Sequence, residues 1–336
     1  MADLQALLAE RDWLLADGAT GTNFFDMGLE AGDAPELWNV DAPDKIRTLH
    51  RGFLEAGADI VLTNTFGANA RRMRLHNAQD RVQELNEAAA SLAVEVAGEF
   101  DQPVVIAGSV GPTGDLFAPL GDITADEARD VFIEQMEGLK AGGADVAWIE
   151  TMSAPEEIQV AVDAARHVGL PFCYTCSFDT AGKTMMGLEP AALPSVVDGS
   201  AGPVAIAVGA NCGVGASDLL VSISAMTKAS PDLIVIAKAN CGVPKIKGDE
   251  VVYTGTPELM ARYAQLARDA GARIIGGCCG TTSGHLAAMH AALVDYEPAA
   301  APDLERIVEG VGPLTNPVNV DAGEGKRGRR RSGRRG

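Results

Sequence analysis

Two adjacent cysteines, Cys278 and Cys279, lie in a glycine-rich turn directly after the apolar run Arg273-Ile274-Ile275. Neighbouring side chains on a regular strand point to opposite faces, so two adjacent thiols can converge only where the backbone turns sharply. Glycine allows such a turn at little steric cost, and three glycines flank the pair. The pair is therefore either two thiolate ligands of one metal ion or two small buried side chains at the end of a strand.

A third cysteine, Cys212, follows a second apolar stretch in the run Gly209-Ala210-Asn211-Cys212. Three converging thiolates suit zinc, which takes soft ligands in a tetrahedral arrangement. Because three protein ligands leave the fourth position open, such a site would be catalytic rather than structural. A substrate thiol bound there would lose its proton and become a nucleophile at neutral pH. We therefore predict one zinc ion on Cys212, Cys278 and Cys279, which are also the predicted catalytic residues.

The other three cysteines have plainer interpretations. Cys173 and Cys176 have C-x-x-C spacing, but inside a strand they would face opposite sides, so we expect buried thiols rather than a second metal site. Cys241 repeats the Ala-Asn-Cys-Gly-Val context of Cys212 one strand later. It could serve as a spare metal ligand or as a plain buried thiol.

Two acidic residues also follow apolar runs and could bind a substrate. Glu150 follows Asp145-Val146-Ala147-Trp148-Ile149, and we predict that it binds the ammonium group of an amino acid. A salt bridge to a basic side chain is the alternative. Asp17 has the same ambiguity, because an Asp-Gly pair can be a simple turn. The backbone N–H groups of Gly18-Ala19-Thr20-Gly21, which follow it, could receive a carboxylate.

These residues follow eight predicted strands that mostly alternate with helices. The strands are largely apolar without strict alternation, which is typical of parallel strands buried on both faces. They cover residues 13–16, 59–63, 103–107, 145–149, 172–178, 204–208, 233–237 and 273–275. Predicted helices cover about 43–56, 78–98, 124–141, 256–270 and 283–294, and another begins at Pro155. The pattern predicts a (β/α)8 TIM barrel of the α/β class, with a doubly wound open sheet as the alternative.

A barrel would bring the chemical residues together, because the active site of such a fold lies at the carboxyl ends of its strands. Alternate strands form layers, so the sixth and eighth strands can present Cys212 and the Cys278-Cys279 pair at a similar height. We assign residues 1–297 to the barrel. Residues 298–336, where the periodicity ends, are assigned to an extension and a flexible arginine-rich tail.

The composition limits the class of protein. The chain has 336 residues, of which 47% are hydrophobic, and can fill one large core. Its net charge of −19 argues against a nucleic-acid partner, and no stretch reaches the roughly 20 apolar residues of a membrane span. The start of the chain lacks the pattern of a secretory signal, so we expect a cytoplasmic protein. Residues 326–336 are basic without an acid, either as a solvated tail or as an arm for an acidic partner.

Six segments of the chain resemble the homocysteine S-methyltransferase family. They are spread over residues 13–294 and comprise Asp17-Gly18-Ala19-Thr20-Gly21-Thr22, Ala58–Phe66, Gly108–Thr113, Trp148–Thr151, Gly209–Cys212 and Gly276–Thr282. The resemblance implies a zinc-bearing (β/α)8 barrel that methylates homocysteine to methionine, with the three cysteines as ligands. It also implies Glu150 and Asp17 near the substrate amino group, and Thr63 and Ser109 in the pocket.

The resemblance leaves the methyl donor open. The family includes enzymes that use betaine, S-methylmethionine or S-adenosylmethionine, and it includes the homocysteine module of cobalamin-dependent methionine synthase. A quaternary ammonium such as that of betaine binds well in an aromatic cage. The animal betaine enzymes have a tyrosine where this chain has Gly67. The aromatic residues that could form a cage here are Trp38, Phe66, Trp148, Tyr174 and Phe178.

We predict a zinc-dependent homocysteine S-methyltransferase whose donor is betaine or a related onium compound. One alternative is the homocysteine-binding subunit of a split cobalamin-dependent methionine synthase, with methylcobalamin on a separate corrinoid protein; Thr63–Phe66 and Gly108–Thr113 look more like that module. An alternative of another class is a non-catalytic zinc- or thiol-sensing barrel. The expected partners are homocysteine and a methyl donor, without nucleic acid or membrane, and the oligomeric state stays open.

Overall fold

The structure, a computed structural model, describes residues 2–197, 199–247 and 250–315, and the predicted arginine-rich tail lies outside them. Eight parallel strands surrounded by helices form the (β/α)8 barrel that the sequence predicts. The barrel strands are β1 (Leu14–Leu15), β2 (Ile60–Leu62), β3 (Val105–Val110), β4 (Val146–Met152), β5 (Phe172–Cys176), β6 (Val208–Cys212), β7 (Val235–Ala239) and β10 (Ala272–Gly277). Between the last two, β8 (Pro244–Lys247) and β9 (Glu250–Tyr253) form a separate antiparallel hairpin.

The barrel strands pair in the order β1-β10-β7-β6-β5-β4-β3-β2. A parallel bridge between Ala16 and Ile60 then joins the end of β1 to β2 and brings the two edges of the sheet together. The Asp17 N–H also donates to the Ile60 carbonyl oxygen, at 3.0 Å. The carboxyl ends of all eight strands therefore surround one opening, as the barrel prediction requires.

Helices cover the outside of the barrel. The α-helices of the described residues are α1 (Leu4–Glu10), α2 (Gly21–Asp26), α3 (Trp38–Asp41), α4 (Pro43–Glu55), α5 (Ala70–Met73), α6 (Val82–Ala97), α7 (Ala125–Ala141), α8 (Pro155–Val168), α9 (Ala216–Ala229), α10 (Pro257–Asp269), α11 (Ser283–Leu293) and α12 (Leu304–Val311). Short 3-10 helices cover Pro35–Leu37, Arg74–His76, Gln79–Arg81, Pro190–Ser195 and Gly199–Ala201. None of the described helices is both long and apolar enough to cross a membrane.

Local sequence signals explain several helix ends. Thr124 and Glu127 form the capping box that opens α7, with each side chain bonded to the other's backbone N–H. Gly57, two residues beyond the end of α4, has φ +98°, a conformation that glycine adopts at little cost. Helices α4, α7, α8, α10 and α11 lie close to their predicted positions.

The sixth strand lies later in the chain than predicted. It covers Val208–Cys212 rather than 204–208, and Val204 is exposed. The apolar run marks the approach to the strand, while the strand itself continues into polar residues. Asn211 can be buried there because its side chain is hydrogen bonded to Thr151 and Thr175, on the two preceding strands.

Two apolar layers hold the barrel. The larger lies between the strands and the outer helices, and the smaller fills the barrel interior. Leu4, Leu7 and Leu8 of α1 belong to the interior layer and pack with strand residues such as Val105 and Ile274. Helix α1, which the sequence did not predict, therefore closes the amino-terminal end of the barrel.

The segment after the barrel contains α12, although its sequence had given no periodic signal. Ile307 and Val311 are buried, and the helix packs against α9 and α10. The guanidinium of Arg306 forms an ion pair with the buried Asp269 of α10. The start of the extension is thus attached to the outer face of the barrel.

Candidate active site

The three predicted metal ligands meet at the carboxyl end of the barrel. Cys212 is the last residue of β6, and Cys278 and Cys279 follow β10 directly. Cys212 and Gly277 both pair with Ala239 of the intervening strand β7, so the two strands end at the same level. The Sγ atoms of Cys212 and Cys279 are 4.0 Å apart, and all three Sγ atoms lie within 4.8 Å of one another. This spacing could hold one metal ion.

Tight turns bring the thiols together. Cys212 has φ +60°, which is uncommon for a residue other than glycine and turns its side chain away from the regular strand alternation. After β10, the Thr281 N–H donates to the Cys278 carbonyl oxygen at 3.1 Å, closing a turn in which Gly280 has φ +79°. A Cβ on Gly277 would lie 2.3 Å from the Thr281 side chain. The glycines around the pair are therefore required by the turn.

The other cysteines stay apart from this group. Cys241 is buried and does not belong to the group of three thiols. Its backbone N–H donates to the Cys279 carbonyl oxygen at 2.9 Å. Cys173 lies in the barrel interior and Cys176 in the outer layer, on opposite faces of β5. Burial raises the pKa of Cys173 to about 12, which makes it an unreactive core thiol.

Crowding and burial keep the converging thiols protonated when they are alone. Hydrogen bonding to Cys212, together with burial, raises the pKa of Cys279 to about 12. Hydrogen bonding to Cys278 and burial raise the pKa of Cys212 as well. Three thiolates at this spacing repel one another, so their ionised form needs a bound cation. The donor set therefore fits a metal site better than a set of free nucleophiles.

The thiols open into a cavity of about 390 Å³. Pocket residues come from the ends of β1, β2, β3, β4, β6, β7 and β10, so most of the barrel contributes. Nine of the ten predicted site residues line it, namely Gly18, Ala19, Thr20, Thr63, Ser109, Glu150, Cys212, Cys278 and Cys279.

Glu150 is a buried carboxylate on the cavity wall. Its Oε1 accepts a hydrogen bond from the Ser109 hydroxyl at 2.5 Å, and the Ser109 N–H donates to Thr63 Oγ1 at 3.0 Å. Burial raises the pKa of Glu150, while the charge of Lys238 and the Ser109 hydroxyl oppose that rise. Glu150 is therefore held in place with a charge that a bound ammonium group could neutralise.

Asp17, the tenth predicted site residue, lies beneath the cavity rather than on its wall. One carboxylate oxygen accepts a hydrogen bond from Lys238 Nζ at 2.6 Å, and the other accepts one from the Leu62 N–H at 2.7 Å. Burial raises the pKa of Asp17, and the ion pair with Lys238 opposes that rise. Both oxygens of Asp17 thus have partners within the barrel, whereas Glu150 lines the cavity.

Sequence reasoning missed Lys238, which is 1% exposed and lines the cavity from the end of β7. The signal was available, because Lys238 follows the apolar run 233–237 just as Glu150 follows its own strand. Reasoning also missed Tyr253 of β9, whose side chain contacts Cys279. The β8–β9 hairpin was not predicted, so nothing placed that tyrosine near the thiols.

The five aromatic residues considered for a cage do not form one. Phe66 lines the cavity. Trp148 is fully buried in the barrel interior, and Tyr174 is buried in the outer layer, where its hydroxyl donates to the Leu193 carbonyl oxygen. Phe178 is buried in the same outer layer, and Trp38 packs against Phe24. Among the cavity residues that the structure describes, Glu36 and Phe66 line the wall beside Gly67.

A barrel that gathers three thiols and a buried carboxylate around one cavity defines an enzyme site suited to a thiol substrate. The sequence profile of the family described as Homocysteine S-methyltransferase matches residues 14–293. The chain belongs to this family.

Similar proteins agree with that placement. The methionine synthase of Mycobacterium leprae (strain TN) is 30% identical over 325 residues, which cover 91% of this chain and 26% of the relative. The methionine synthase of Mycobacterium tuberculosis (strain ATCC 25618 / H37Rv) is 29% identical over 327 residues, which cover 89% of this chain and 27% of the relative. This chain thus spans about a quarter of the length of these relatives. The metallated form of Escherichia coli homocysteine methyltransferase MmuM shares the fold, with a TM-score of 0.72, 23% identity, and coverage of 86% of this chain and 99% of that one.

Proposed function

We propose that this protein is a zinc-dependent methyltransferase that converts homocysteine to methionine, with betaine or a related onium compound as the methyl donor. The observation that carries the proposal is the convergence of Cys212, Cys278 and Cys279 on the cavity that Glu150 also lines. A substrate with both a thiol and an amino group, such as homocysteine, matches these two features together. The three cysteines are the proposed zinc ligands.

The spacing of the sulfur atoms supports zinc. Tetrahedral zinc has Zn–S bonds of about 2.3 Å, which separates two sulfur ligands by about 3.8 Å. The 4.0 Å between the Sγ atoms of Cys212 and Cys279 is close to that separation. Because Cys241 lies outside the group, we propose three protein ligands and a fourth position for the substrate. When bound, zinc would lower the pKa of the substrate thiol and favour its nucleophilic form.

The chain's own side chains would bind and orient homocysteine. Glu150, fixed by the Ser109 hydroxyl, would accept hydrogen bonds from the ammonium group. The carboxylate would be received by N–H groups of the loop after β1. The Ala19 N–H already donates to the Thr281 carbonyl oxygen at 3.0 Å, so this role is proposed for Gly18 and Thr20.

A second function is favoured by the relatives. Two of them are methionine synthases of which this chain spans about a quarter. The chain would then be the homocysteine-binding part of a methionine synthase whose methylcobalamin is carried by a separate corrinoid protein. The third alternative, a thiol-sensing barrel, is disfavoured, because it needs no cavity and would take a fourth protein ligand such as Cys241.

The metal assignment predicts about one zinc per chain in the purified protein. Cys278→Ala should lose most of that zinc and reduce methyl transfer roughly 10³-fold or more, because two thiolates hold the ion poorly. Metal analysis and methionine formation measure the two effects. Cys173→Ala, which removes a buried thiol outside the group, is the matched control and should keep its zinc. Full zinc and unchanged transfer in Cys278→Ala would reject the site.

The donor assignment is tested with purified protein, homocysteine and one donor at a time. The panel is betaine, dimethylsulfoniopropionate, S-methylmethionine, S-adenosylmethionine and methylcobalamin. Methionine formed from an onium donor without any corrinoid supports the proposal and rejects the split methionine synthase. Turnover only with methylcobalamin gives the reverse conclusion.

A further inference from the structure

Glu36 occupies the space beside Gly67. It lies in the 3-10 helix Pro35–Leu37, is 5% exposed, and lines the same cavity as Glu150. Its Oε1 accepts a hydrogen bond from the Gly67 N–H at 2.7 Å. A Cβ at residue 67 would lie 2.7 Å from that same oxygen. The carboxylate can therefore occupy this position only because residue 67 has no side chain. Phe66 lines the cavity next to it.

This wall faces Cys212 across the barrel. Phe66 and Gly67 follow β2, while Cys212 ends β6. In the strand order, three strands separate β2 from β6 in either direction around the ring, which makes the two strands opposite. A sulfur held at the thiol group can attack a methyl carbon in line only if the donor approaches from the cavity side away from the cysteines. The wall of Glu36 and Phe66 lies on that side of Cys212, while Cys278 and Cys279 follow β10, two strands away from β2 around the ring.

We propose that Glu36, with Phe66 beside it, recognises the methyl donor, and that it selects donors whose methylated atom carries a positive charge. The inference rests on the proposed function and names the residue whose carboxylate would contact the positively charged group of the donor. A carboxylate and one aromatic ring would take the place of an aromatic cage, since both attract a cation.

The charges around Glu36 support a ligand-binding role. No lysine, arginine or histidine nitrogen of the described residues lies within 4.0 Å of its carboxylate, whereas Asp17 is paired with Lys238 at 2.6 Å. Arg72 is nearby, but its Nε donates to the Pro112 carbonyl oxygen at 2.8 Å, and its guanidinium lies 5.3 Å from the centre of the Phe66 ring. Among the described residues, Glu36 is thus a buried carboxyl group on the cavity wall without a salt bridge, and the positive charges of Arg72 and His76 act on it only from a greater distance.

The reaction itself would use this charge. The new S–C bond forms as the bond between the methyl carbon and the onium atom breaks, and the electron pair of that bond stays with the onium atom. A thiolate and a cation thus become a thioether and a neutral leaving group. Glu36 would attract the cationic donor and lose that attraction once transfer is complete, which favours product release.

The test is Glu36→Gln, which keeps an oxygen for the Gly67 N–H and removes the charge. We expect the KM for betaine to rise about tenfold or more, because a partly buried charge contact is lost. The KM for homocysteine should stay within about twofold. Glu157→Gln is the matched control, because Glu157 is a buried carboxyl group that is held by Thr113 and does not line the cavity. It should leave the ratio of the two KM values unchanged.

A measurement on the unmodified protein makes the test independent of how the variant folds. 3,3-Dimethylbutanoate has the shape of betaine with carbon in place of the charged nitrogen. We expect it to bind at least about tenfold more weakly than betaine. In Glu36→Gln, this difference in affinity between the two compounds should be smaller. Equal binding of the two compounds, or an unchanged betaine KM in Glu36→Gln, would overturn the inference and leave the proposed function intact. If no onium donor supports turnover, the proposed donor class and this subsite both fail.

Discussion

The two ends of the barrel interior are built from opposite kinds of side chain. The amino-terminal end is closed by the leucines of α1, packed among apolar strand residues. The carboxyl end holds three thiols, Glu150 and the ion pair of Asp17 with Lys238. Trp148 lies between them, in the apolar layer but with Lys238 Nζ 5.9 Å from its ring centre. The same eight strands thus run from a sealed core to an open, charged site.

The difference shows where this fold gains stability and where it gives stability up. Burying a leucine side chain stabilises a protein by roughly 1.5–3 kcal/mol, and the amino-terminal end of the barrel buries several leucines. Burying Asp17 and Glu150 has the opposite tendency, since burial raises the pKa of both. Substitutions at the amino-terminal end should therefore change stability alone, whereas those at the carboxyl end can change both stability and binding.

The largest expected effect on stability is at Lys238. Lys238→Met would leave Asp17 buried without its cation, and breaking such a pair costs about 3–5 kcal/mol. Urea unfolding measures this loss. The double variant Asp17→Asn with Lys238→Met removes both charges and should recover most of the stability, because a buried pair adds little over neutral partners. A single variant as stable as the unmodified protein would mean that Asp17 is not charged in the fold.

The sealed end should respond in stability alone. Leu8→Ala removes a side chain that is buried in the interior layer and should cost about 2–5 kcal/mol of unfolding free energy. The KM for homocysteine and kcat should not change below the melting transition, because the cavity is at the other end of the barrel. Leu304→Ala, at an exposed position of α12, is the control and should cost under about 1 kcal/mol. A raised KM in Leu8→Ala would show that the two ends are coupled.

The same contrast explains which features the sequence could predict. Apolar runs located the strands, and the residues that follow them located most of the cavity wall. The chemistry of Cys212, Cys278 and Cys279 was readable because thiols are rare and the glycine-rich turn is distinctive. Their convergence follows from barrel geometry, which the strand count had already indicated.

What the sequence could not provide was the pairing of charges. Nothing in the order of residues says that Lys238 on β7 reaches Asp17 after β1, because the two strands come close only by pairing with opposite edges of β10. The position of Glu36 beside Gly67 depends in the same way on a 3-10 helix folding over the end of β2. Helix α1 was missed because seven residues give too short a pattern.

The smallest of these effects belongs to Glu150, where stability and binding should move in opposite directions. Glu150→Gln keeps an acceptor for the Ser109 hydroxyl but loses the charge, so we expect the KM for homocysteine to rise roughly 10- to 100-fold.

The stability of this variant should depend on pH. Because burial raises the pKa of Glu150 in the folded state above its value in the unfolded state, the native protein loses stability as the pH rises through the interval between these two pKa values. The variant lacks this loss, so it should be the more stable of the two above the interval. The two proteins should converge in stability at more acidic pH, where Glu150 is protonated in both the folded and unfolded states. Unfolding at several pH values, together with the homocysteine KM, checks both signs, and a variant that is less stable at pH 8 would show that this carboxylate holds the barrel end together.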